Sequence, residues 1–400
     1  MTRRGMGALA AALYVGRRWS EAGPGEPPRH AGRLARIAFV IGIVGLVLSA
    51  LGLLVDARQA YTSFLTAYAA AISVALGALI LAMSTHLTGA RWFIPLRRVT
   101  EGVAATMPVF AILFILLLPG LGELYPWVRS SAGVPAAAYL NVPFFVIRAV
   151  IYFAIWITIT LLLDRWSAER ARAPAPGALG KSRALSAAGL PLVSLALTFA
   201  AFDWLMSLAP RWFSTIYGLY WFSGGFLGAL ALVALAGCVA SGGTLAGAIE
   251  SRQYRALGTL LVTFIVFWAY IAFCQFLIIW IGDIPVEIAW YVPRMRGSWG
   301  VLAVVLIVGQ FALPFLLLLP RAVKTNRTAL GVIAVWLLVM HYLDVYWLVL
   351  PALHPDGIHP HWLDLTGLAA VVGLTVAYGA WRIAGQPLLP RPSVAEPSPS

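Results

Sequence analysis

Two short stretches of this 400-residue chain place an acidic residue inside an otherwise apolar segment. They are FDWLMSLAP at 202–210 and LDVYWLVLP at 343–351, and in both an aspartate stands seven residues before a proline. A charge inside a hydrophobic helix is costly, so such a group marks an ion pair or a path for protons or ions. Asp203 and Asp344 are therefore the first candidates for chemistry.

Two further ionisable side chains are expected at a similar depth. Arg148 lies near the start of an apolar segment, and His341 precedes Asp344 by three residues. Residues three apart share a helix face, so His341 and Asp344 form a candidate imidazole–carboxylate pair, and Asp203 becomes the expected partner of Arg148. The same stretch also carries Tyr342 and Tyr346. A packing lock, in which Arg148 only neutralises an aspartate, remains the alternative and is compatible with a proton path.

A second polar set is predicted in the inner half of the membrane. It comprises Ser84, Thr85 and His86 in the stretch MSTHL, Glu101 at the start of the next apolar segment, and Tyr270 and Gln275 further along the chain. Hydroxyls and an imidazole can relay protons through ordered water. Ordinary polarity at helix ends explains the same residues equally well.

The composition shows what kind of element must position these groups. Hydrophobic residues make up 61% of the chain, charged residues 11%, and the mean hydropathy is +0.87, whereas soluble domains are about 25% charged. Apolar stretches long enough to cross a bilayer recur along the whole chain, which predicts an all-α polytopic membrane protein. The predicted helices are 34–55, 63–88, 99–119, 143–164, 185–208, 214–241, 257–282, 298–320, 328–351 and 361–384.

The net charge of +13 is explained by membrane orientation and not by nucleic-acid binding. The predicted outer connections contain, of 28 Lys and Arg residues, only Arg58, Arg129, Arg211, Arg294 and Arg296. The positive-inside rule then places both termini in the cytoplasm of a multi-pass protein of a bacterial inner membrane. Residues 1–33 are expected to form a basic cytoplasmic arm, and the Pro/Ser-rich residues 385–400 a disordered cytoplasmic tail.

The two aspartate stretches also indicate an internal repeat. Each closes an odd-numbered, outward-running helix, the fifth and the ninth, and an offset of four helices preserves topology. The interpretation is two parallel four-helix bundles, about 63–208 and 214–351, flanked by the first and last helices of a domain at 34–384.

Few cofactors are compatible with this sequence. Cys238 and Cys274 are the only cysteines, whereas an iron–sulfur cluster generally needs four ligands and a c-type haem needs C-x-x-C-H. His86 and His341 are expected towards opposite sides of the bilayer, which argues against a b-type haem. The outer loop HPDGIHPHW contains three histidines, a pattern that can bind metal, but a solvated loop is the simpler interpretation and no metal is expected. These histidines are His354, His359 and His361.

Four long stretches resemble a known family. They are YLNVPFFVIRAVIYFAIW (139–156), FDWLMSLAPRWFSTIYGLYWFSGGFLGAL (202–230), FWAYIAFCQFLIIWIGDIPVEIAWYVPR (267–294) and MHYLDVYWLVLP (340–351). They are similar to the smaller NrfD-like, polysulfide-reductase-type membrane subunit of bacterial alternative complex III. This family is known as the second quinone-binding subunit of a quinol:cytochrome c or quinol:electron-acceptor oxidoreductase.

The resemblance implies a non-redox subunit within a larger respiratory electron-transport complex. The implied partners are a larger homologous NrfD-like membrane subunit, a periplasmic iron–sulfur subunit, c-type haem subunits, lipids and in some assemblies a terminal oxidase. The haem c and iron–sulfur clusters would belong to those partners, and quinol or menaquinol would be oxidised chiefly in the larger subunit. For this chain the expectation is a proton path and a scaffold, with Asp203, His341, Asp344 and Arg148 as the principal residues.

Other functions stay open at this stage. The alternatives are that the chain binds quinol itself, that it is a purely structural anchor, or that it is a secondary transporter. Secondary transporters usually have helices broken near the midplane, whereas most prolines of this chain are expected near helix ends. The loop between the seventh and eighth predicted helices is expected to contact periplasmic partners. Its candidate contact residues are Asp283, Glu287, Trp290, Arg294 and Arg296.

Overall fold

The fold is entirely helical over the part of the chain that the computed structural model describes. These residues are 31–130, 136–172, 178–241 and 248–384. They contain no strand, and ten of their helices are long and apolar enough to cross a membrane. The chain is therefore a multi-pass membrane protein. The predicted tail 385–400 and all but the end of the predicted arm 1–33 lie outside the described residues.

The spanning helices are labelled α1 to α10 in chain order. Their bounds are α1 Ala31–Gly52, α2 Ala57–Thr88, α3 Arg91–Ile115, α4 Val142–Arg172, α5 Ala178–Trp204, α6 Tyr217–Ala240, α7 Ser251–Gly282, α8 Gly297–Leu318, α9 Arg327–Val349 and α10 Trp362–Ala384. Short helices in the connections include Leu121–Leu124, Pro126–Arg129, Pro285–Arg294 and Arg321–Thr325.

The predicted boundaries are correct at some ends and wrong at others. α2 begins at Ala57, six residues before the predicted start at 63, because Asp56 caps it by accepting a hydrogen bond from the Gln59 backbone N–H. Hydropathy predicts a single helix over 99–119, but α3 starts at Arg91 and is divided into Ile94–Ala104 and Met107–Ile115. Each of these pieces has a proline in its first turn, where a missing N–H costs nothing.

α8 contains a local π-helical segment that hydropathy does not reveal. The segment is Ile307–Ala312, and Pro314 stands two residues after its end. A proline inside a helix removes one backbone hydrogen bond, and the extra residue of a π turn rearranges the bonds that remain. The carbonyl of Gly309 in this segment accepts a hydrogen bond from the Trp336 indole at 2.7 Å. Together with Pro191 inside α5, this break is an exception to the expected placement of prolines near helix ends.

α2 forms the centre of the molecule. Its apolar span is 94% buried, and it packs against α3, α5, α6, α9 and α10. The α2–α6 contact is close because small residues face each other: a Cβ added to Gly77 would lie 2.7 Å from the carbonyl oxygen of Gly225. α1 is peripheral and packs on α10, where a Cβ on Gly45 would lie 2.5 Å from the Ala370 backbone nitrogen. Small residues let helix backbones approach in this way inside membranes.

The connections gather at two ends of the bundle. One end, called the loop face, brings together 53–58, 126–130, 209–216, 283–296 and 353–361, through contacts such as the stacking of Trp212 on Trp290. The other end, called the terminal face, carries the start of α1 and the end of α10. The ends of α5 and α9 that carry Asp203 and Asp344 both lie towards the loop face.

Candidate functional site

Asp203 and Arg148 form a buried ion pair, as the sequence analysis expected. The guanidinium Nε and one terminal nitrogen of Arg148 each donate to a different carboxylate oxygen of Asp203, both at 2.8 Å. This two-point geometry is the strongest arrangement for an arginine and a carboxylate. The Tyr152 hydroxyl donates to the same carboxylate at 2.8 Å. The Arg148 guanidinium also lies over the Tyr139 ring at 3.7 Å, so its charge is well compensated.

Asp344 is equally buried but has different partners. Its carboxylate accepts the Tyr220 hydroxyl at 2.6 Å and the Trp268 indole N–H at 3.1 Å. Within the described residues no lysine or arginine forms an ion pair with it. Gln310, from the π segment of α8, lies beside the same Trp268. When the Gln310 amide is oriented so that its NH₂ group faces an acceptor, its oxygen accepts a hydrogen bond from the Trp268 indole N–H at 3.1 Å. Asp344 is therefore held by neutral donors alone.

His341 contacts α2 and not Asp344 directly. Its Nε2 lies 2.9 Å from the Ser73 hydroxyl and 3.2 Å from the Ala70 carbonyl oxygen. Its Nδ1 is buried and has no hydrogen-bond partner among the described residues. Among the described residues no hydrogen bond joins His341 directly to Asp344.

Gly224 of α6 explains how the two groups still face one another. A Cβ added at Gly224 would lie 3.1 Å from the Asp344 carboxylate and 3.1 Å from His341 Nδ1. The two polar atoms can therefore be at most twice that distance apart, and both lie beside Gly224. A glycine here keeps the gap between them free of any side chain. The group formed by Ser73, Tyr220, Trp268, His341 and Asp344 is called the Asp344 cluster.

A third carboxylate, which the sequence analysis missed, is buried at the start of α10. Asp364 accepts hydrogen bonds from Ser63 and Gln59 on one oxygen and from the Tyr346 hydroxyl on the other. The Tyr342 hydroxyl reaches its backbone carbonyl at 3.5 Å. Both tyrosines therefore face Asp364 and not Asp344, on the other side of α9. Asp364 falls within the first turn of a predicted helix, where an acidic residue looks like ordinary capping, so its signal in the sequence is weak.

The predicted inner set is only partly assembled. His86 Nε2 lies 3.2 Å from a Glu101 oxygen, and Arg98 binds the other oxygen at 3.2 Å. Arg98 also lies 3.6 Å from Asp164, which pairs with Arg382 of α10. These five residues form the Glu101 network at the terminal face. It ties α2, α3, α4 and α10 together, so an ion-pair lock explains it without any transport role.

The remaining predicted members of the inner set lie elsewhere. Tyr270 is 61% exposed on the outside of the bundle, and its assignment to a proton path stays a prediction. Gln275 is buried, but it lies seven residues before the end of α7 and donates to the Tyr291 hydroxyl at the loop face. Thr85 donates to a carbonyl of its own helix, and Ser84 is half-buried.

The loop expected to contact partners is also partly folded inward. Arg294 is 4% exposed, lies over the Trp290 ring at 3.6 Å and donates to the Leu348 carbonyl at 2.8 Å. It thereby satisfies a backbone carbonyl in the last turn of α9, and Trp290 is buried beneath it. Both side chains are thus turned towards the interior of the chain, and their role as partner contacts stays a prediction. Asp283 and Arg296 are exposed and Glu287 is half-buried, so these three remain candidates.

A large apolar cavity lies below His341, towards the terminal face. Its volume is about 510 Å³, and His341, Tyr342, Thr106 and Thr375 supply nearly all of its polar lining. Both threonine hydroxyls donate to carbonyls of their own helices. Exposed wall residues such as Val372 show that the cavity reaches the outside of the bundle. It separates the Asp344 cluster from the Glu101 network.

Comparison with known proteins adds no identification: no family model matches the chain, and no curated protein is significantly similar to it. The resemblance carried by the four quoted stretches therefore stays a prediction.

The Arg148–Asp203 pair generates the first prediction. Replacing Asp203 by Ala strands a buried guanidinium, and we expect a loss of about 3 to 5 kcal/mol in the free energy of unfolding. The measurement is denaturant unfolding of the purified protein in detergent. The matched control is Glu123→Ala, which removes the carboxylate of the exposed Glu123–Arg129 pair and should cost at most about 1 kcal/mol. A loss no larger than the control's would contradict a dry pair.

Proposed function

We propose that this chain is an integral membrane subunit of a quinol:electron-acceptor (cytochrome c) oxidoreductase complex. In this proposal it provides a proton path and a scaffold beside a larger homologous subunit that oxidises quinol. Iron–sulfur and c-type haem partners carry the electrons. The observation that carries the proton path is the Asp344 cluster: a buried carboxylate without a cation partner, facing an unpartnered imidazole nitrogen across a glycine gap.

Asp203 and Asp344 are proposed to have different roles. Asp203 is bound at two points by a guanidinium, so this carboxylate acts as a structural anchor between α4 and α5. Among the described residues Asp344 receives only neutral donors, so it is the carboxylate to which the proposal assigns proton transfer. A group that can hold a proton and release it at modest cost is what a relay needs.

Within the proposed relay each atom has a defined part. The proton carried by the Asp344 carboxyl passes across the Gly224 gap, over one bridging water, to Nδ1 of His341. The imidazolium so formed keeps its Nε2–H on Ser73 and the Ala70 carbonyl, which orient the ring and stabilise the charge. Tyr220 and Trp268 stabilise the carboxylate left behind by donating to both of its oxygens.

The proposed arrangement of the helices follows from the same aspartates. We assign α2–α5 and α6–α9 to two parallel four-helix bundles, because in each group the first helix packs against the last, α2 on α5 and α6 on α9. The Tyr152–Asp203 and Tyr220–Asp344 bonds occupy corresponding ends of the two groups. The scarcity of Lys and Arg in the loop-face connections supports an outward loop face and cytoplasmic termini.

Assembly provides the second prediction. Because no electron carrier is proposed in this chain, it should co-purify under mild detergent with c-haem and iron–sulfur polypeptides and with a larger membrane subunit. Mass spectrometry of the purified complex and its visible spectrum are the measurements. A coloured chain that oxidises quinol alone would overturn the proposal.

Substitution of Asp344 provides the third prediction. Asp344→Asn removes the titrating group but strands no charge, so complex yield should stay normal while quinol-linked turnover falls about 100-fold. The measurements are turnover, proton release and yield of the purified complex. Glu169→Gln, which replaces an exposed carboxylate near the end of α4 by an amide, is the control and should leave all three unchanged.

A steric variant separates proton transfer from the loss of the carboxylate. Gly224→Ala keeps both titratable groups and places a methyl group against both of their facing atoms. It should slow turnover in the same direction as Asp344→Asn. Normal turnover and proton release in Asp344→Asn would discard the relay and leave the chain as a scaffold.

Quinol binding by this chain is the second candidate function, and the cavity below His341 favours it. The cavity has the size of a small-molecule site, apolar walls that suit an isoprenoid chain, and an imidazole and a phenol among its few polar groups. It also reaches the outside of the bundle between helices, where a membrane-dissolved ligand would enter. A quinol head group beside His341 would then deliver its proton directly to the Asp344 cluster.

Filling this cavity distinguishes the two functions and is the fourth prediction. Ala236→Phe places a ring in the cavity, whereas Ala188→Phe places one on the exposed surface of α5 and serves as the control. Under the proton-path proposal both variants keep the wild-type KM for quinol in the purified complex. An increase of about tenfold in KM for Ala236→Phe alone would instead assign quinol binding to this chain.

A further inference from the structure

The loop that joins α9 to α10 brings together two histidines and a carboxylate that neither the ion-pair network nor the Asp344 cluster uses. Ligand atoms of His354, Asp356 and His359 all lie within 4.8 Å of one another. The sequence pattern suggested His354, His359 and His361, but the His361 ring instead accepts a hydrogen bond from the Leu363 backbone N–H. The carboxylate that completes the set is Asp356, which sequence analysis did not select.

The loop is held in place from both sides. The Trp299 indole at the start of α8 donates to the His354 carbonyl at 2.7 Å, and the Ser298 hydroxyl accepts from the Ile358 backbone N–H at 2.7 Å. The His354 backbone N–H donates to the Leu350 carbonyl at 2.9 Å. Three anchors within five residues keep the loop's backbone in one conformation, so the ligand side chains need little ordering when an ion binds.

His354 also has the hydrogen bond that a metal-binding histidine normally has. Its Nε2 lies 2.7 Å from the Gln59 side-chain oxygen, which leaves Nδ1 as the ligand atom. Metal-bound imidazoles usually donate their other N–H to an oxygen, which orients the ring and raises its basicity. The Gln59 amide nitrogen donates hydrogen bonds to Ser63 and Asp364, so the His354 ring is connected through Gln59 to buried groups.

We propose that His354, Asp356 and His359 form a Zn²⁺ site at the loop face, with the fourth position open to water or to a ligand from a partner subunit. Two imidazoles and one carboxylate are a common donor set for an open tetrahedral zinc site. Ligand atoms around such an ion are about 3.3 Å apart, so the exposed Asp356 and His359 side chains rotate inward by a small amount on binding. The site requires no assumption about quinol or protons.

The test is zinc binding by the full chain, purified in mild detergent with any subunits that accompany it and stripped with a chelator. Titration calorimetry with Zn²⁺ alone should show one site that the His354→Ala/His359→Ala double variant lacks. His359→Ala alone should weaken this site at least tenfold, and the matched control His361→Ala should keep wild-type affinity. Lowering the pH below the histidine pKa range should weaken the wild-type site about tenfold per pH unit for each titrating imidazole.

Three results would overturn the assignment. The first is wild-type binding equal to that of the double variant, which would leave the His359–Asp356 contact as an ion pair only. The second is a loss in His361→Ala as large as in His359→Ala. The third is zinc affinity that does not depend on pH between 5 and 8, since imidazole ligands must compete with protons in that range.

Discussion

The cost of placing a carboxylate in an apolar interior is the constraint on which the rest of this structure depends. Asp203, Asp344 and Asp364 are each buried between helices, and each has hydrogen-bond donors on both of its oxygens. Because an unsatisfied buried charge would destabilise the bundle by several kcal/mol, neighbouring helices must place hydrogen-bond donors beside each carboxylate. These hydrogen bonds thus fix the axial positions of the helices relative to one another near the loop face, whereas apolar packing alone would allow one helix to shift along another.

Asp203 and Asp344 stand at corresponding positions near the ends of α5 and α9, but their environments differ. A guanidinium holds Asp203, and the result is a rigid link between α4 and α5. A phenol and an indole hold Asp344, and an imidazole nitrogen without a partner lies across the Gly224 gap. The physical difference is one fixed positive charge, which contacts Asp203 at two points and which Asp344 lacks among the described residues.

The two ends of the bundle are chemically distinct. At the terminal face, Arg98 and Arg382 bridge Glu101 and Asp164 in a network of alternating charges. Towards the loop face, buried acids are satisfied largely by hydroxyl, amide and indole groups. The apolar cavity between these regions has no titratable side chain in its walls apart from His341 and Tyr342. Any path for protons through the proposed relay therefore opens at the loop face, or needs a ligand or water in the cavity.

Hydropathy, charge distribution and the repeated aspartates were enough to predict the helical membrane class, most helix positions and the partner of Arg148. These features follow from solvent preference and helix periodicity, which are local properties of the chain. The three-residue spacing of His341 and Asp344 correctly placed both on one helix, but it could not give the orientation of the His341 ring, which depends on Ser73 and Gly224 of other helices.

Only the tertiary structure decided which polar residues meet. Tyr270 and Gln275 looked alike in sequence, yet Tyr270 is exposed on the outside of the bundle and Gln275 pairs with Tyr291, since the rotation of α7 is set by its neighbours. Tyr220 and Trp268 were missed because aromatic residues are common in membrane helices, and only packing places their donors on Asp344. The sequence by itself thus determined that the chain is helical and membrane-spanning and that Asp203 and Asp344 are buried towards the same face. Contacts between distant helices determined the partner of each buried group, because those contacts depend on helix rotation and close packing that no local pattern encodes.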